Sequence, residues 1–135
     1  MTGENRKQNI ADELARAAET LRAARTLLAA GLPNDALSRT YYAAFHVMRA
    51  AVLSRGVDPK THAGTLNLFN RELTRKGLLP PFNKLLTGLH SAREAADYEA
   101  GVSFTEAEAQ ALLTESQAFT ATVIDFLKRE GWTES

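Results

Sequence analysis

The sequence predicts an all-α protein, an up-and-down bundle of about five helices. Apolar residues recur at intervals of three and four along most of the chain, which is the spacing of amphipathic helices. Glycines and prolines stand between the periodic stretches, where helices end and begin. Strand-like alternation, internal repeats and low-complexity linkers are not seen, so residues 1–135 are interpreted as one domain with a core over about 4–130.

The first predicted helix runs from about Glu4 to Ala30. Gly31 suits its end, and Pro33 suits the first turn of the next helix, where a missing N–H group is harmless. The connection is therefore short, and an antiparallel helical hairpin is expected. The apolar residues of this helix form one continuous seam: Ile10, Leu14, Ala17, Leu21, Ala24 and Leu28.

The second predicted helix runs from about Asn34 to Ser54, and Gly56 ends it. Its spacing predicts a core face made of Leu37, Tyr41, Ala44, Phe45, Met48 and Val52.

Local signals bound the next two helices. Thr61 resembles an N-cap for a third helix that reaches Lys76, with Gly77 as its stop. Pro80-Pro81 opens a fourth helix, which Gly101 breaks. The inward residues predicted for this fourth helix are Phe82, Leu85, Leu86, Leu89 and Ala96.

A capping box marks the start of the fifth helix. Thr105 is followed three residues later by Glu108, and Gly131 provides the end. Its apolar face is Leu112, Leu113, Phe119, Val123, Phe126 and Leu127.

Composition narrows the class of protein. Sixteen basic residues balance sixteen acidic ones, which argues against binding nucleic acid by bulk charge but not against contact with RNA at one small site. The chain has no cysteine, so disulfides and thiolate sites are excluded. The polar stretch Met1 to Asn9 does not resemble a secretory signal, and no apolar run approaches the ~20 residues that span a bilayer. A cytoplasmic protein without membrane association is expected.

Four polar side chains of the second helix fall on one face. Arg39 and His46 are seven residues apart, which is two helical turns, and Tyr42 and Arg49 join the same row. The row lies nearly opposite the core face. Spacing alone favours a solvated surface, and the alternative is the lining of a cleft. A histidine can move protons near neutral pH, and an arginine supplies a fixed positive charge.

The other candidate residues carry weaker signals. His62, beside a proposed N-cap, is interpreted as a turn residue. Arg93 and Asp97 have the spacing of a surface ion pair, with His90 on the same face; alternatively Arg93, Asp97 and Tyr98 buttress the second helix. Three scattered histidines without a metal-binding motif, and the absence of a glycine-rich phosphate loop, give no reason to expect a metal or another cofactor.

Three segments together resemble the HEPN family (higher eukaryotes and prokaryotes nucleotide-binding domain), in its branch of small stand-alone bacterial and archaeal proteins. The segment from Ser38 to His46, SRTYYAAFH, is similar to the family's signature helix. The blocks KTHAG at 60–64, followed by Phe69, and REAADY at 93–98 are similar to two later motifs in the same order. The resemblance extends from about Leu14 to Leu127.

The resemblance implies a helical bundle that often forms a homodimer, and in many members an R-x4-6-H motif that cleaves RNA. Arg39 and His46 match it with six intervening residues, and would be the catalytic pair. Many active members carry Asn, Asp or His directly after the arginine, where this chain has Thr40. A related subgroup has a tyrosine two residues after the histidine as a target of nucleotidylation, where this chain has Met48; Tyr42 and Tyr98 are the alternatives.

Three hypotheses for function follow. The first is a toxin of a toxin-antitoxin pair, a metal-independent endoribonuclease that a minimal nucleotidyltransferase antitoxin restrains, with Tyr42, Arg49, Arg93, Asp97 and Tyr98 as supporting or substrate-binding residues. The second is a non-catalytic helical dimer that binds such a nucleotidyltransferase or a nucleotide. The third is a scaffolding bundle, which leaves the row of Arg39 and His46 unexplained.

Overall fold

The structure is a computed structural model that describes residues 3–134. Its elements are α1 (Gly3–Ala29), α2 (Pro33–Leu53), α3 (His62–Phe69), a π-helical turn (Asn70–Thr74), α4 (Asn83–Tyr98) and α5 (Glu106–Arg129). Residues 3–134 contain no strand. The predicted all-α bundle of five helices is confirmed.

The first two helices form the predicted antiparallel hairpin. Gly31 ends α1 with a φ of 79°, a left-handed conformation that glycine adopts without steric cost. The amide of Leu32 donates to the carbonyl of Leu27 at 3.0 Å, and that of Gly31 to Leu28 at 3.0 Å. This bonding pattern closes the helix end, and Pro33 then occupies the first turn of α2.

The third helix differs from its prediction. Thr61 is the N-cap, and its hydroxyl accepts from the amide of Gly64 at 2.8 Å, but the α-helical part ends at Phe69. The chain then widens into the π-helical turn instead of continuing as α-helix to Lys76. Phe69 and Leu73 are both fully buried, and residues four apart share a face in either kind of helix. Their spacing therefore does not reveal the wider turn.

The last two helices begin and end close to their predicted bounds. α4 starts at Asn83, two residues after the two prolines, and ends at Tyr98 before Gly101. α5 has the complete capping box. The Thr105 hydroxyl accepts from the Glu108 amide at 3.0 Å, and the Glu108 carboxylate accepts from the Thr105 amide at 2.9 Å.

The centre of the bundle is α2, which packs against the other four helices. Of its 21 residues, 14 are buried, and small side chains at many of these positions let the neighbouring helices approach closely. The main cluster includes Phe69 and Phe119, whose rings are 5.7 Å apart. A smaller cluster near the hairpin loop includes Leu21, Leu37 and Leu113. Within residues 3–134, none of the helices combines the length and apolarity needed to cross a membrane.

Candidate functional site

Beyond its first turn, α2 exposes polar side chains on one face. From Ala36 to Leu53, a stretch described in full, every residue is buried except the four of the predicted polar face. We call these four the polar row: Arg39, Tyr42, His46 and Arg49. Arg39 is exposed, while the other three are half-buried because side chains from α1 and α4 cover them. The row is therefore partly covered by the neighbouring helices, and Arg39 is its most exposed member.

Glu13 of α1 holds two members of the row. Its carboxylate oxygens lie 2.9 Å from Nδ1 of His46 and 3.2 Å from Nε of Arg49. An ionised carboxylate only accepts hydrogen bonds, so Nδ1 of His46 carries the proton and Nε2 is left for another partner. Arg49 also donates through Nη1 to the carbonyl of Pro59 at 2.8 Å. Both side chains are thus fixed in orientation.

The ionisation of Glu13 follows from this arrangement. Burial of the side chain, which is 19% exposed, raises the pKa of Glu13. The hydrogen bond from His46 and the positive charge of Arg49 lower it by more, so that the pKa lies below its usual value. Glu13 is a carboxylate at neutral pH, as its role as an acceptor requires.

Arg93 ties α4 to the other side of the row. Its Nη2 donates to the hydroxyl of Tyr42 at 2.6 Å, and its Nε lies 3.0 Å from the Asp97 carboxylate. Asp97 in turn accepts from the hydroxyl of Ser38 at 3.3 Å. Arg93 and Asp97 form the i,i+4 pair expected from their spacing, and they also brace α2. On α2 the contact of Asp97 is Ser38, the residue that precedes Arg39.

The rings around Arg93 are part of the same arrangement. The Arg93 guanidinium lies over Tyr42 and Tyr98 at 5.2 and 5.4 Å from the ring centroids, and Arg39 lies over Tyr42 at 5.0 Å. Such cation–π contacts hold a guanidinium in place without neutralising its charge. Tyr98, the last residue of α4, keeps 69% of its surface exposed.

His62 stands beside the row, although its sequence position suggested only a turn residue. It is the first residue of α3, and its ring lies 4.1 Å from that of Phe45. Its Nδ1 is 3.0 Å from the Tyr41 hydroxyl. Burial lowers the pKa of His62, and the neighbouring positive charges, first that of Arg93, lower it further. His62 is therefore neutral at pH 7.

Glu13 and His62 are the two site neighbours that sequence reasoning missed. Glu13 did carry a signal, because it stands three residues after Ile10 and four before Ala17, beside the apolar seam of α1. An acidic residue at such a position needs a partner. His62 belongs to the KTHAG block, but that block does not place it beside α2, since its contacts come from the packing of α3 on α2.

The residues that the structure describes contain no group of three or more His, Cys, Asp or Glu side chains arranged to hold a metal ion. What the site does offer is three arginines, a histidine with a fixed tautomer, and aromatic rings. These groups suit the recognition of a phosphate and the transfer of a proton.

Comparison with known proteins agrees with this geometry. The model of the HEPN domain family matches residues 10–129, which is most of the chain.

Individual relatives are of similar size. A protein of Gloeobacter violaceus named "UPF0332 protein glr0978" is 34% identical over 118 residues, 86% of this chain and 94% of that protein. Two proteins of Methanocaldococcus jannaschii also match. "Putative toxin MJ0605" is 33% identical over 83% of this chain and 84% of its own length. "Putative toxin MJ0142" is 27% identical over 84% of this chain and 78% of its own.

Proposed function

Because this chain belongs to the HEPN domain family, we propose that it is a toxin that cleaves cellular RNA without a metal, with Arg39 and His46 as the catalytic residues. A neutralising antitoxin, a minimal nucleotidyltransferase, belongs to this proposal. Support for the toxin role comes from the two archaeal relatives that are named as toxins.

The observation that carries the proposal is the contact between His46 and Glu13. A carboxylate that holds Nδ1–H orients the imidazole and directs Nε2 to another group, which is how proton-transfer histidines are commonly prepared. A histidine in a merely solvated surface would not need this support.

The chemistry can be assigned to atoms. The ribose 2′-hydroxyl attacks the adjacent phosphorus, its proton passes to a neutral Nε2 of a histidine, and the 5′-oxygen departs with a proton from a second donor. The 2′-oxygen then bridges to phosphorus, so the product carries a 2′,3′-cyclic phosphate. The Arg39 guanidinium stabilises the charge that builds on the non-bridging oxygens.

A second protomer supplies what one row lacks. Arg39 and His46 are separated by about 10 Å along the helix axis, and the Arg39 guanidinium lies over the ring of Tyr42, which stands between them on the helix. One row also offers a single proton-transfer histidine, whereas the reaction uses a base and an acid. We infer a homodimer in which two rows face each other across the RNA.

The test is cleavage of total RNA or a defined oligonucleotide by purified protein. We expect His46→Ala to lower the rate by about 10² to 10⁴-fold and Arg39→Ala by about 10² to 10³-fold. Arg39→Lys should restore only part of the activity, because an ammonium lacks the forked guanidinium contact. Activity should persist in EDTA. Arg22→Ala, an exposed arginine of α1, is the matched control and should retain full activity.

A stability measurement separates catalysis from folding. His46→Ala is expected to leave the melting temperature nearly unchanged, since Glu13 keeps Arg49 as a partner. Phe45→Ala, which empties a buried ring position, should cost about 3 to 5 kcal/mol. Full activity in a well-folded Arg39→Ala, His46→Ala double variant would refute the catalytic assignment.

A second candidate function is a non-catalytic dimer that binds a nucleotidyltransferase or a nucleotide. Thr40 favours it. Many active members of the family that the sequence resembles carry Asn, Asp or His at this position. Thr40 is 1% exposed, and its hydroxyl donates to the Ala36 carbonyl at 2.8 Å. It has no free polar group to offer a substrate. Binding of the partner without any RNA cleavage by the wild type would favour this function.

A further inference from the structure

A cavity of about 180 Å³ lies between α2, α3 and α4, beside the polar row. Its apolar floor includes Met48 and Leu86, which are buried. The remaining lining residues are Tyr41, His62, Ala63, Leu66, Asn67 and His90. The proposed reaction uses none of these side chains, so the cavity is not explained by it.

The cavity and the row share a wall. The ring of Tyr41 lies 5.2 Å from that of Tyr42, and the ring of His62 lies 4.1 Å from that of Phe45, which is itself 5.6 Å from His46. A phosphate bound at the row therefore has the mouth of the cavity as its near neighbour. A nucleotide attached to that phosphate would bring its base to this mouth.

The lining has the chemistry of a base site. Tyr41, His62 and His90 present rings, and stacking on such rings is the usual way in which proteins hold an unpaired base. The lowered pKa of His62 keeps its imidazole uncharged. The exposed amide of Asn67 offers both a donor and an acceptor for a base edge. The volume suits one planar ring system and is too small for a helix of about 10 Å diameter.

We propose that this cavity binds the base of an RNA nucleotide next to the phosphate that is cut, and that His62 and Asn67 determine which base is preferred. The inference rests on the proposed function, because it takes the row to be the phosphate site. Charge complementarity supports the orientation: the positive charges of Arg39, Arg49 and Arg93 lie along or beside the row, while the floor of the cavity is apolar.

The experiment measures binding of AMP, GMP, CMP, UMP and ribose 5-phosphate to the full-length protein by calorimetry or NMR titration. Ala63→Trp fills the cavity. Its matched control is Ala107→Trp, since both alanines are the exposed second residue of a helix, and Ala107 lines a separate groove between α1 and α5. At least one nucleotide should bind the wild type about 10-fold or more tightly than ribose 5-phosphate, because stacking favours the base.

Ala63→Trp should lower the affinity for that nucleotide to the affinity for ribose 5-phosphate. Ala107→Trp should leave the affinity for the nucleotide unchanged. Equal affinity of ribose 5-phosphate and all four nucleotides, or wild-type binding by Ala63→Trp, would overturn the inference. If Ala63→Trp does not fold, Asn67→Ala takes its place: it should change the order of preference among the four nucleotides, and an unchanged order would count against the site.

The assay involves no cleavage, so the two proposals fail separately. Base-dependent binding at the cavity by a protein that does not cut RNA contradicts the proposed activity alone. If the wild type cleaves RNA and Ala63→Trp binds nucleotides as the wild type does, the base site alone is contradicted.

Discussion

At the scale of single residues, Glu13 joins α1 to the polar row through His46 and Arg49. Because all three side chains are at most 24% exposed, the contacts are shielded from water more than an ordinary surface ion pair. The orientation of His46 and Arg49 in the row therefore depends on a carboxylate of another helix, which is not part of the R-x6-H motif. Helical periodicity predicted which residues of α2 share a face. It did not predict their partners, which come from other helices.

We predict that Glu13→Gln lowers the free energy of unfolding at neutral pH by an amount on the order of 1 to 3 kcal/mol, because it leaves Arg49 and His46 without the charge they face. The pKa of Glu13 is lower in the folded than in the unfolded state. The stabilisation that the Glu13 carboxylate contributes is therefore fully present above the pKa of the unfolded state, near 4.5. It is lost as the pH falls through the lower pKa of the folded state.

Denaturant melts of wild type and Glu13→Gln between about pH 7 and pH 3 measure this. The gap between the two proteins should narrow as the pH falls below about 5. Glu19→Gln, an exposed position on the same helix, is the control and should melt like the wild type at pH 7. A gap that does not narrow between about pH 5 and pH 3 would contradict the assignment.

At the scale of elements, local chemistry predicted most helix ends. Gly31 and Gly77 adopt positive φ, and Thr61 and Thr105 cap the helices that follow them. These signals depend on neighbours in the chain, which is why the sequence reveals them. The π-helical turn after Phe69 has no such local signal, because the apolar spacing is compatible with either helix type.

We predict that Thr105→Ala destabilises the protein by about 1 kcal/mol, within a range of roughly 0.5 to 2. The variant loses the hydroxyl that accepts from the Glu108 amide and keeps only the bond from its own backbone amide to the Glu108 carboxylate. Thermal unfolding followed by circular dichroism measures the loss. Thr114→Ala, exposed in the middle of α5, should change stability by less than about 0.5 kcal/mol. Equal losses of stability in the two variants would show that the capping box contributes no more than an ordinary exposed threonine.

At the scale of the whole molecule, the proposed reaction needs more groups than one polar row supplies. The row has a single histidine, which Glu13 orients, and its exposed arginine lies over the ring of Tyr42. The fold of the chain followed from sequence, since helix length, spacing and caps are local properties. The proposed pairing of two rows does not follow, because helical periodicity gives the same pattern for a partly covered polar face and for an ordinary exposed one.

We predict a homodimer with the two rows facing. Light scattering at micromolar concentration should give twice the monomer mass of 14.7 kDa. Because the chain has no cysteine, Arg39→Cys introduces a single thiol, and a short bismaleimide should join two protomers through it. Lys76→Cys, exposed beyond the π-helical turn, should not be joined. A monomer, or equal joining of the two variants, would remove the shared-cleft argument.

The burial pattern of α2 has a consequence for how this protein tolerates mutation. Every position from Ala36 to Leu53 belongs either to the core or to the polar row, so the helix has no neutral site between them. A larger side chain at Ala43 or Ala50, both fully buried, would displace a neighbouring helix and tilt the row with it. The proposed activity and the stability of the fold are thus coupled within α2. Substitutions that leave α2 unchanged, whether natural or engineered for stability, can be made on the outer faces of α1 and α5.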